Sequence, residues 1–315
     1  MRAVERALWA PSVHNTQPWR WWVGDDVVEL YADRTHHLVG TDPDQRDLVI
    51  SCGTALHHLQ VALHQLGVPT VTERLPDPEN RDLLARVQPT SGPIEDRNAG
   101  LANAIERRRT DRRAFAGPPQ PAQLRRLARH AAWCGAALHP VLGVTAQARL
   151  LAILGEASSR QREVPGYPAE LAIWTRRYHE AHDGIPPEAR TVQFPTHSLR
   201  QFPAGHLLAG PRPQTALEDT ATLVILTTDG DEPLDWLRAG EATSAVLLVA
   251  TQLGLASTPL SQATEVDHTR RQLAHTILGV SAHPQIIIRI GLPIDAAELP
   301  ATPRRPLSSI LLPRG

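Results

Sequence analysis

A chain of 315 residues, 42% hydrophobic and 21% charged, has the composition of one large or two modest globular domains and not of a disordered or fibrous protein. The formal net charge of −1 and a basic complement of 32 arginines without a lysine exclude a global positive field for nucleic acid, a Schiff-base lysine and a P-loop lysine. The two cysteines, Cys52 and Cys134, make neither a disulfide framework nor a zinc cluster, and no apolar run approaches the roughly 18 residues of a membrane helix.

In chain order, Trp19–Val23 and Val27–Ala32 are β-rich runs around Gly24-Asp25-Asp26 and read as a hairpin. Ser51–Leu66 reads as a helix, with Leu56, Leu59, Leu63 and Leu66 at helical spacing and Gly67 in the place of a C-cap glycine. The stretch 75–100, dotted with proline and glycine, is the best candidate for a junction. Ala102–Arg109 is helical in character, Pro121–Trp133 is a helix, Ala137–Val144 a strand and Ala146–Arg162 a helix. From Pro165 to Pro213 the chain turns proline-rich and carries Trp174, Tyr178, Phe194 and Phe202, the pattern of a lid, an arm or an insert. A strand at Thr220–Thr227 is followed by a helix at Ala239–Leu253, apolar on nearly every side and so central to a large core. Gln285–Ile290 is a β-branched strand, and Pro300–Gly315 is an extended tail with Arg304 and Arg305.

Shifted by 187 residues, Gly53–Gly67 lies on Gly240–Gly254 without a gap, with Gly53/Gly240, Ala55/Ala242, Gln65/Gln252, Leu66/Leu253 and Gly67/Gly254 identical. Such a match predicts two related halves, against the alternative of two unrelated helices that each end in a glycine.

Arg107-Arg108-Arg109-Thr110-Asp111-Arg112-Arg113 places five arginines in seven positions. Guanidinium forks bind phosphate in a bidentate way and a threonine hydroxyl adds a donor, with Arg304 available from the tail. Taken alone, such a run is more often the solvated end of a basic helix. Pro11-Ser12-Val13-His14-Asn15-Thr16-Gln17-Pro18-Trp19 is a turn entering the first strand, where Ser12 and Asn15 offer a hydroxyl and an amide to a polar ring edge or a phosphate. The other reading is an Asx-type turn.

Pro11-Ser12-x-x-Asn15-x-Gln17-Pro18-Trp19 resembles a signature of the FMN-dependent nitroreductase family. Arg108-Arg109-Thr110-x-Arg112 resembles its flavin motif, with Thr110 where serine is usual, and Gly254–Leu260 and Gly291-x-Pro293 with Pro303–Pro306 are similar to its later segments. The order of the motifs, the doubled helix and the long insert resemble the Acg-type branch, in which one chain is a fused pair of units. The resemblance implies an α+β fold of two half-domains, each a mainly antiparallel sheet flanked by helices, arranged as a pseudo-dimer. Residues 1–95 would be a degenerate N-terminal half and 101–315 a C-terminal half, with a lid or arm at about 165–215. One FMN site would take Pro11, Ser12 and Asn15 from the first half and Arg108, Arg109, Thr110, Arg112 and Arg304 from the second. Backbone groups of Pro259, Leu260 and Ser261 would face the flavin N5 edge.

The implied activity is hydride transfer from NAD(P)H through FMN to a small conjugated acceptor, or flavin-dependent dehydrogenation, with no side chain required as acid or nucleophile. The alternative is a protein that stores flavin under a closed lid. A metal enzyme is suggested by the 15 histidines, but His179-Glu180-Ala181-His182 is not a zincin motif and no complete ligand set is visible, so no metal is expected. Cys52 stands near a helix start without a base that sequence places beside it. With no apolar segment after Arg2 and Arg6, the chain is expected in the cytoplasm, without membrane or nucleic-acid partners, as a monomer or a further homodimer.

Overall fold

A computed structural model describes residues 1–93, 98, 100–177, 179–186, 220–279 and 281–313. The chain opens with α1 (Arg2–Ala7), β1 (Trp19–Val23), β2 (Val28–Ala32), α2 (Arg46–Gln65), β3 (Thr70–Arg74) and β4 (Leu83–Pro89). These strands form an antiparallel sheet in the order β1-β2-β4-β3. Two short elements follow, α3 (Ala102–Ile105) and β5 (Phe115–Gly117). Then come α4 (Pro121–Trp133), β6 (Ala137–Pro140), α5 (Val144–Glu163), α6 (Tyr167–Thr175), β7 (Thr222–Thr228), α7 (Pro233–Gln252) and β8 (Ala256–Leu260). The helices α8 (Gln262–Glu265) and α9 (Asp267–Gln272), the strand β9 (His283–Pro293) and α10 (Leu307–Ile310) complete the described chain.

The second sheet pairs β6 with β7, β7 with β9 and β9 with β8, all antiparallel, and β5 joins the end of β9. Its order β6-β7-β9-β8 repeats β1-β2-β4-β3 strand for strand. The succession α4-β6-β7-α7-β8-β9 likewise repeats α1-β1-β2-α2-β3-β4. Where β1 turns into β2 through a short Gly24 turn, the segment carrying α5 and α6 stands between β6 and β7.

The helices α2 and α7 pack against each other between the sheets. A Cβ on Gly53 would collide with the Leu237 carbonyl oxygen and lie 2.9 Å from the Gly240 Cα. A Cβ on Gly240 would collide with the Ile50 carbonyl oxygen and lie 2.7 Å from the Gly53 Cα. One turn on, His57 Nδ1 meets Ser244 Oγ at 2.8 Å. Ala239–Ala250 of α7 is buried throughout, because α2, α3, α4 and the second sheet cover all its sides.

Several elements differ from the sequence reading for identifiable reasons. The helix α2 starts five residues before Ser51, because the Asp42 carboxylate accepts from the Asp47 and Leu48 N–H groups at 3.0 and 2.8 Å. The junction at 75–100 begins inside the first sheet: Pro76 and Pro78 occupy the β3–β4 connection, and Leu83–Pro89 is a full strand. The helix at Ala102 ends at Ile105, and the arginine run continues extended, tied by Asp111 N–H to the Ser257 carbonyl at 3.0 Å. The tail returns to the first sheet, where Leu312 N–H donates to the Trp21 carbonyl at 2.8 Å. Tyr178, Phe194 and Phe202 of the segment read as a lid lie outside the described residues.

Candidate functional site

A cleft with about 1260 Å³ of atom-free space, partly open to solvent, lies where α2, α7, the arginine run, β8 and the tail converge. Pro11, Ser12, Asn15, Arg108, Thr110, Arg112, Pro259, Leu260, Ser261 and Arg304 all line it. Residues far apart in sequence, from the α1–β1 loop to the tail, are thus brought to one wall-to-wall site.

The α1–β1 loop is built in an unusual backbone. His14, Asn15 and Gln17 have φ of 47°, 57° and 52°, the left-handed region that non-glycine residues seldom occupy. Side-chain hydrogen bonds hold it there. Ser12 Oγ accepts from Gln17 N–H at 2.9 Å, and Ser51 Oγ of α2 accepts from Val13 N–H at 3.2 Å. The Asn15 amide donates to the Gly184 and Pro303 carbonyls at 3.0 and 3.1 Å, and its oxygen accepts from Arg304 Nη1 at 3.1 Å. Asn15 lines the cleft as expected of a site residue, and its amide also ties loop, insert and tail together and aims Arg304.

The arginine run divides by partner. Arg113 grips Asp111 at 2.8 Å and Asp295 at 2.8 Å. Arg109 lines an adjoining recess rather than the cleft itself, and its guanidinium donates to the Leu299 carbonyl at 3.1 Å and the Glu106 and Arg108 carbonyls at 2.6 and 2.9 Å. Arg108 behaves differently. It is 5% exposed, faces both recesses, and its Nε and Nη1 have no hydrogen-bond partner among the described residues. Arg304 is held by Asn15, Thr302, Pro303 and the Trp9 carbonyl, and its buried Nε also lacks a partner among the described residues. Burial and the charge of Arg109 push the Arg108 guanidinium down to about 10. Burial with Arg108 and Arg109 nearby pushes Arg304 down to about 9. Cations held this way are stabilised by an anion that reaches their open donors.

The remaining walls are mostly apolar, from Val13, Ile50, Leu260 and Ile286, with Thr54 from α2 and Thr243 from α7. Ile185, beyond α6, closes one side. Its segment is docked on the N-terminal residues: Glu170 accepts from Gly40 N–H at 2.9 Å and Thr41 Oγ1 at 2.5 Å, and Gln17 Nε2 donates to the His182 carbonyl at 2.9 Å. Asp47 also lines the cleft, paired with Arg46 at 2.6 Å. Sequence reasoning does not reach Asp47, Ser51, Thr54, Thr243 or Ile185. The signal for three of them is present, since Asp47, Ser51 and Thr54 form a polar stripe at helical spacing on α2, a helix buried over most of its length. Ser261 Oγ donates to Glu265 at 2.6 Å, one turn along. Cys52 is fully buried, its thiol pushed up by burial and donating to the Pro18 carbonyl at 3.1 Å, which is packing and not nucleophilic chemistry.

The model of the family described as "Nitroreductase family" matches residues 105–292. A Mycobacterium tuberculosis H37Rv protein named "Putative NAD(P)H nitroreductase Rv3131" is 40% identical over 312 residues, covering 97% of this chain and 88% of that protein. Another from the same strain, named "Putative NAD(P)H nitroreductase acg", is 34% identical over 98% of this chain and 93% of its own length. Among solved structures, the FMN-dependent nitroreductase NfnB of Mycobacterium smegmatis in complex with NADPH aligns with a TM-score of 0.42 and 16% identity, over 67% of this chain and 96% of that one.

Proposed function

Since the chain belongs to the nitroreductase family, we propose that it is an FMN-binding oxidoreductase that moves hydride from NAD(P)H to a small conjugated acceptor, in one cavity shared by two fused half-domains. The observation that carries this reading is the pair Arg108 and Arg304, whose buried and unpartnered N–H groups face a cleft with apolar walls. An anionic tail on a flat, largely apolar ring system is the ligand shape that such a site fits. FMN has that shape, and when bound it supplies the hydride-accepting and hydride-donating chemistry.

The chain's own residues then bind, orient and exclude water. Arg108, Arg112 and Arg304, with the hydroxyls of Thr110 and Ser12, would hold the phosphate and polar edges. Positive charge beside the ring favours its reduced, anionic form. Asn15 and Arg109 position this wall through the tail. Pro11 and the backbone of Pro259, Leu260 and Ser261 would flank the ring, while Ile50, Ile185 and Ile286 keep water from the face where donor and acceptor must stack closely. Ile185 also limits the acceptor to a small one.

The test is anaerobic titration of the FMN-reconstituted chain with NADPH and then NADH, following the flavin absorbance near roughly 450 nm. Prompt bleaching is expected with one of the two. Bound flavin that stays yellow with both contradicts an NAD(P)H oxidoreductase.

A further inference from the structure

On the side of the cleft made by α2, α7 and α8, polar side chains give their protons to the chain itself. Thr54 Oγ1 donates to the Ser51 carbonyl, Ser51 Oγ to the Asp47 carbonyl and Thr243 Oγ1 to the Ala239 carbonyl, each at 2.7 Å. Gln262, which opens α8, donates through Nε2 to Ser158 Oγ of α5 at 3.2 Å, and Ser158 donates to the Leu154 carbonyl at 3.1 Å. Ser261 follows the same direction and donates to Glu265 Oε1 at 2.6 Å. Behind Glu265 that direction is fixed. Tyr167 O–H, at the start of α6, donates to Gln161 Oε1 at 3.2 Å, so the Gln161 amide turns its nitrogen to Glu265 and donates to Oε2. Gln161 and Tyr167 are each 3% exposed. A carboxylate that receives a donor on each oxygen acts only as an acceptor, and a hydroxyl that gives it its one proton keeps only lone pairs for the cleft.

We propose that Ser261 determines specificity as a hydrogen-bond acceptor, held in that role by Glu265, and selects small conjugated molecules that carry an N–H or O–H donor. The inference rests on the reading of the cleft as the place where a small molecule meets FMN. Ser261 touches the ligand, and Glu265, which acts through it, is a positioning residue. The cleft is then opposite in kind at its two ends: Arg108 and Arg304 offer donors to an anion, whereas Ser261 offers lone pairs to a donor. A ligand that turns an ether oxygen to Ser261 sets acceptor against acceptor, and a site that pairs with a hydroxyl discriminates against the analogue lacking it. Because Tyr167 belongs to α6, docking of that segment sets the polarity of the cleft wall. Glu265→Gln reverses this polarity. Gln161 still presents an N–H, so the new amide turns its oxygen to Gln161 and its NH2 group to Ser261, and Ser261 O–H is released into the cleft.

The test uses the FMN-loaded full chain at about pH 6, where a phenol keeps its proton, with 4-cyanophenol and its methyl ether as probes. Each is titrated against the absorbance of the bound flavin. Wild type should bind the phenol about tenfold more tightly than the ether. Glu265→Gln should tighten the ether about tenfold and bring the ratio to about one. A purely structural role for Glu265 would weaken both probes and leave the ratio unchanged. Ser261→Ala should also level the ratio, through loss of phenol affinity. Equal binding of the probes by wild type, or binding of neither while FMN stays bound, would overturn the proposal. So would a Glu265→Gln chain with a cooperative thermal melt that keeps the wild-type ratio. If that variant does not fold, Ser261→Ala decides: a levelled ratio upholds the acceptor role and an unchanged one overturns it. Failure of wild type to take up FMN would overturn the flavin reading and this inference with it, whereas failure of the selectivity alone leaves FMN in place.

Discussion

Gly53 and Gly240 meet at the crossing of α2 and α7, each facing the other's backbone, with Cβ-to-Cα spacings of 2.9 and 2.7 Å were either residue to gain a side chain. Alanine is the better helix former by about 1 kcal/mol, so propensity alone favours substitution. Here the added methyl has to displace helix backbone, and overpacking of that kind outweighs propensity. Gly53→Ala and Gly240→Ala should each destabilise the chain by about 3 kcal/mol in urea unfolding. Stability equal to wild type would contradict the close crossing.

The identity of Gly53 and Gly240 at a fixed offset is legible in the sequence, and so are the first hairpin and the Pro121 helix, because turn glycines and a first-turn proline are local signals. The contact between the two glycines is not legible, being a property of tertiary packing. The strand β8 escapes pattern reading because Ser257-Thr258-Pro259 lacks the usual β-branched alternation. The arginine run shows which residues could meet an anion but not which do. Asp111 fixes that choice by pairing its backbone with Ser257 and its carboxylate with Arg113, which turns Arg108 inward and leaves Arg109 on the tail.

Asn15 joins three segments through one amide, so Asn15→Ala should act at a distance. The variant leaves the Gly184 and Pro303 carbonyls and one Arg304 donor without this partner. Loss of one well-made buried hydrogen bond to a charged group costs about 1.5 kcal/mol, so FMN affinity should fall roughly tenfold. Proteolysis around 182–185 should accelerate as the docked segment loosens. Unchanged FMN affinity would remove the positioning role.

Ile185 is the one wall that the insert supplies among the described residues. Ile185→Ala should lower KM for bulkier conjugated acceptors by about threefold to tenfold, as deletion of a few methylenes in an apolar pocket does, with FMN affinity unchanged. Steady-state kinetics with a graded series of nitroaromatics and quinones reads this out. An unchanged KM across the series would place the acceptor elsewhere.

Acid should destabilise the fold before carboxylates are reached. Burial, with Arg108 and His57 close by, holds His58 well below its ordinary range. Burial, with Arg126 and Arg129, pushes His130 down to about 4. Burial and Arg305 lower His36. The unfolded chain takes up these protons near pH 6.5 and the folded chain does not, so stability falls as pH drops from about 6.5 toward 4. Asp42, pushed up by burial and by Asp47, works in the opposite sense above its unfolded value. The melting temperature should be lower at pH 5 than at pH 7 by roughly 5 °C, and His130→Phe should reduce that difference. A melting temperature that rises on acidification would contradict the burial of neutral imidazoles.

Arg108 and Arg304, and not the neighbouring Arg109, are proposed to hold the anionic end of FMN. The most direct test of this assignment is the FMN dissociation constant of Arg108→Ala, Arg304→Ala and Arg109→Ala, measured by quenching of flavin fluorescence on the refolded apo chain. A charge-assisted contact to phosphate contributes about 1.5–3 kcal/mol, so the first two variants should bind FMN at least about tenfold more weakly, and Arg109→Ala should stay within about threefold of wild type. Equal affinity in all three, or the largest loss in Arg109→Ala, would contradict the account.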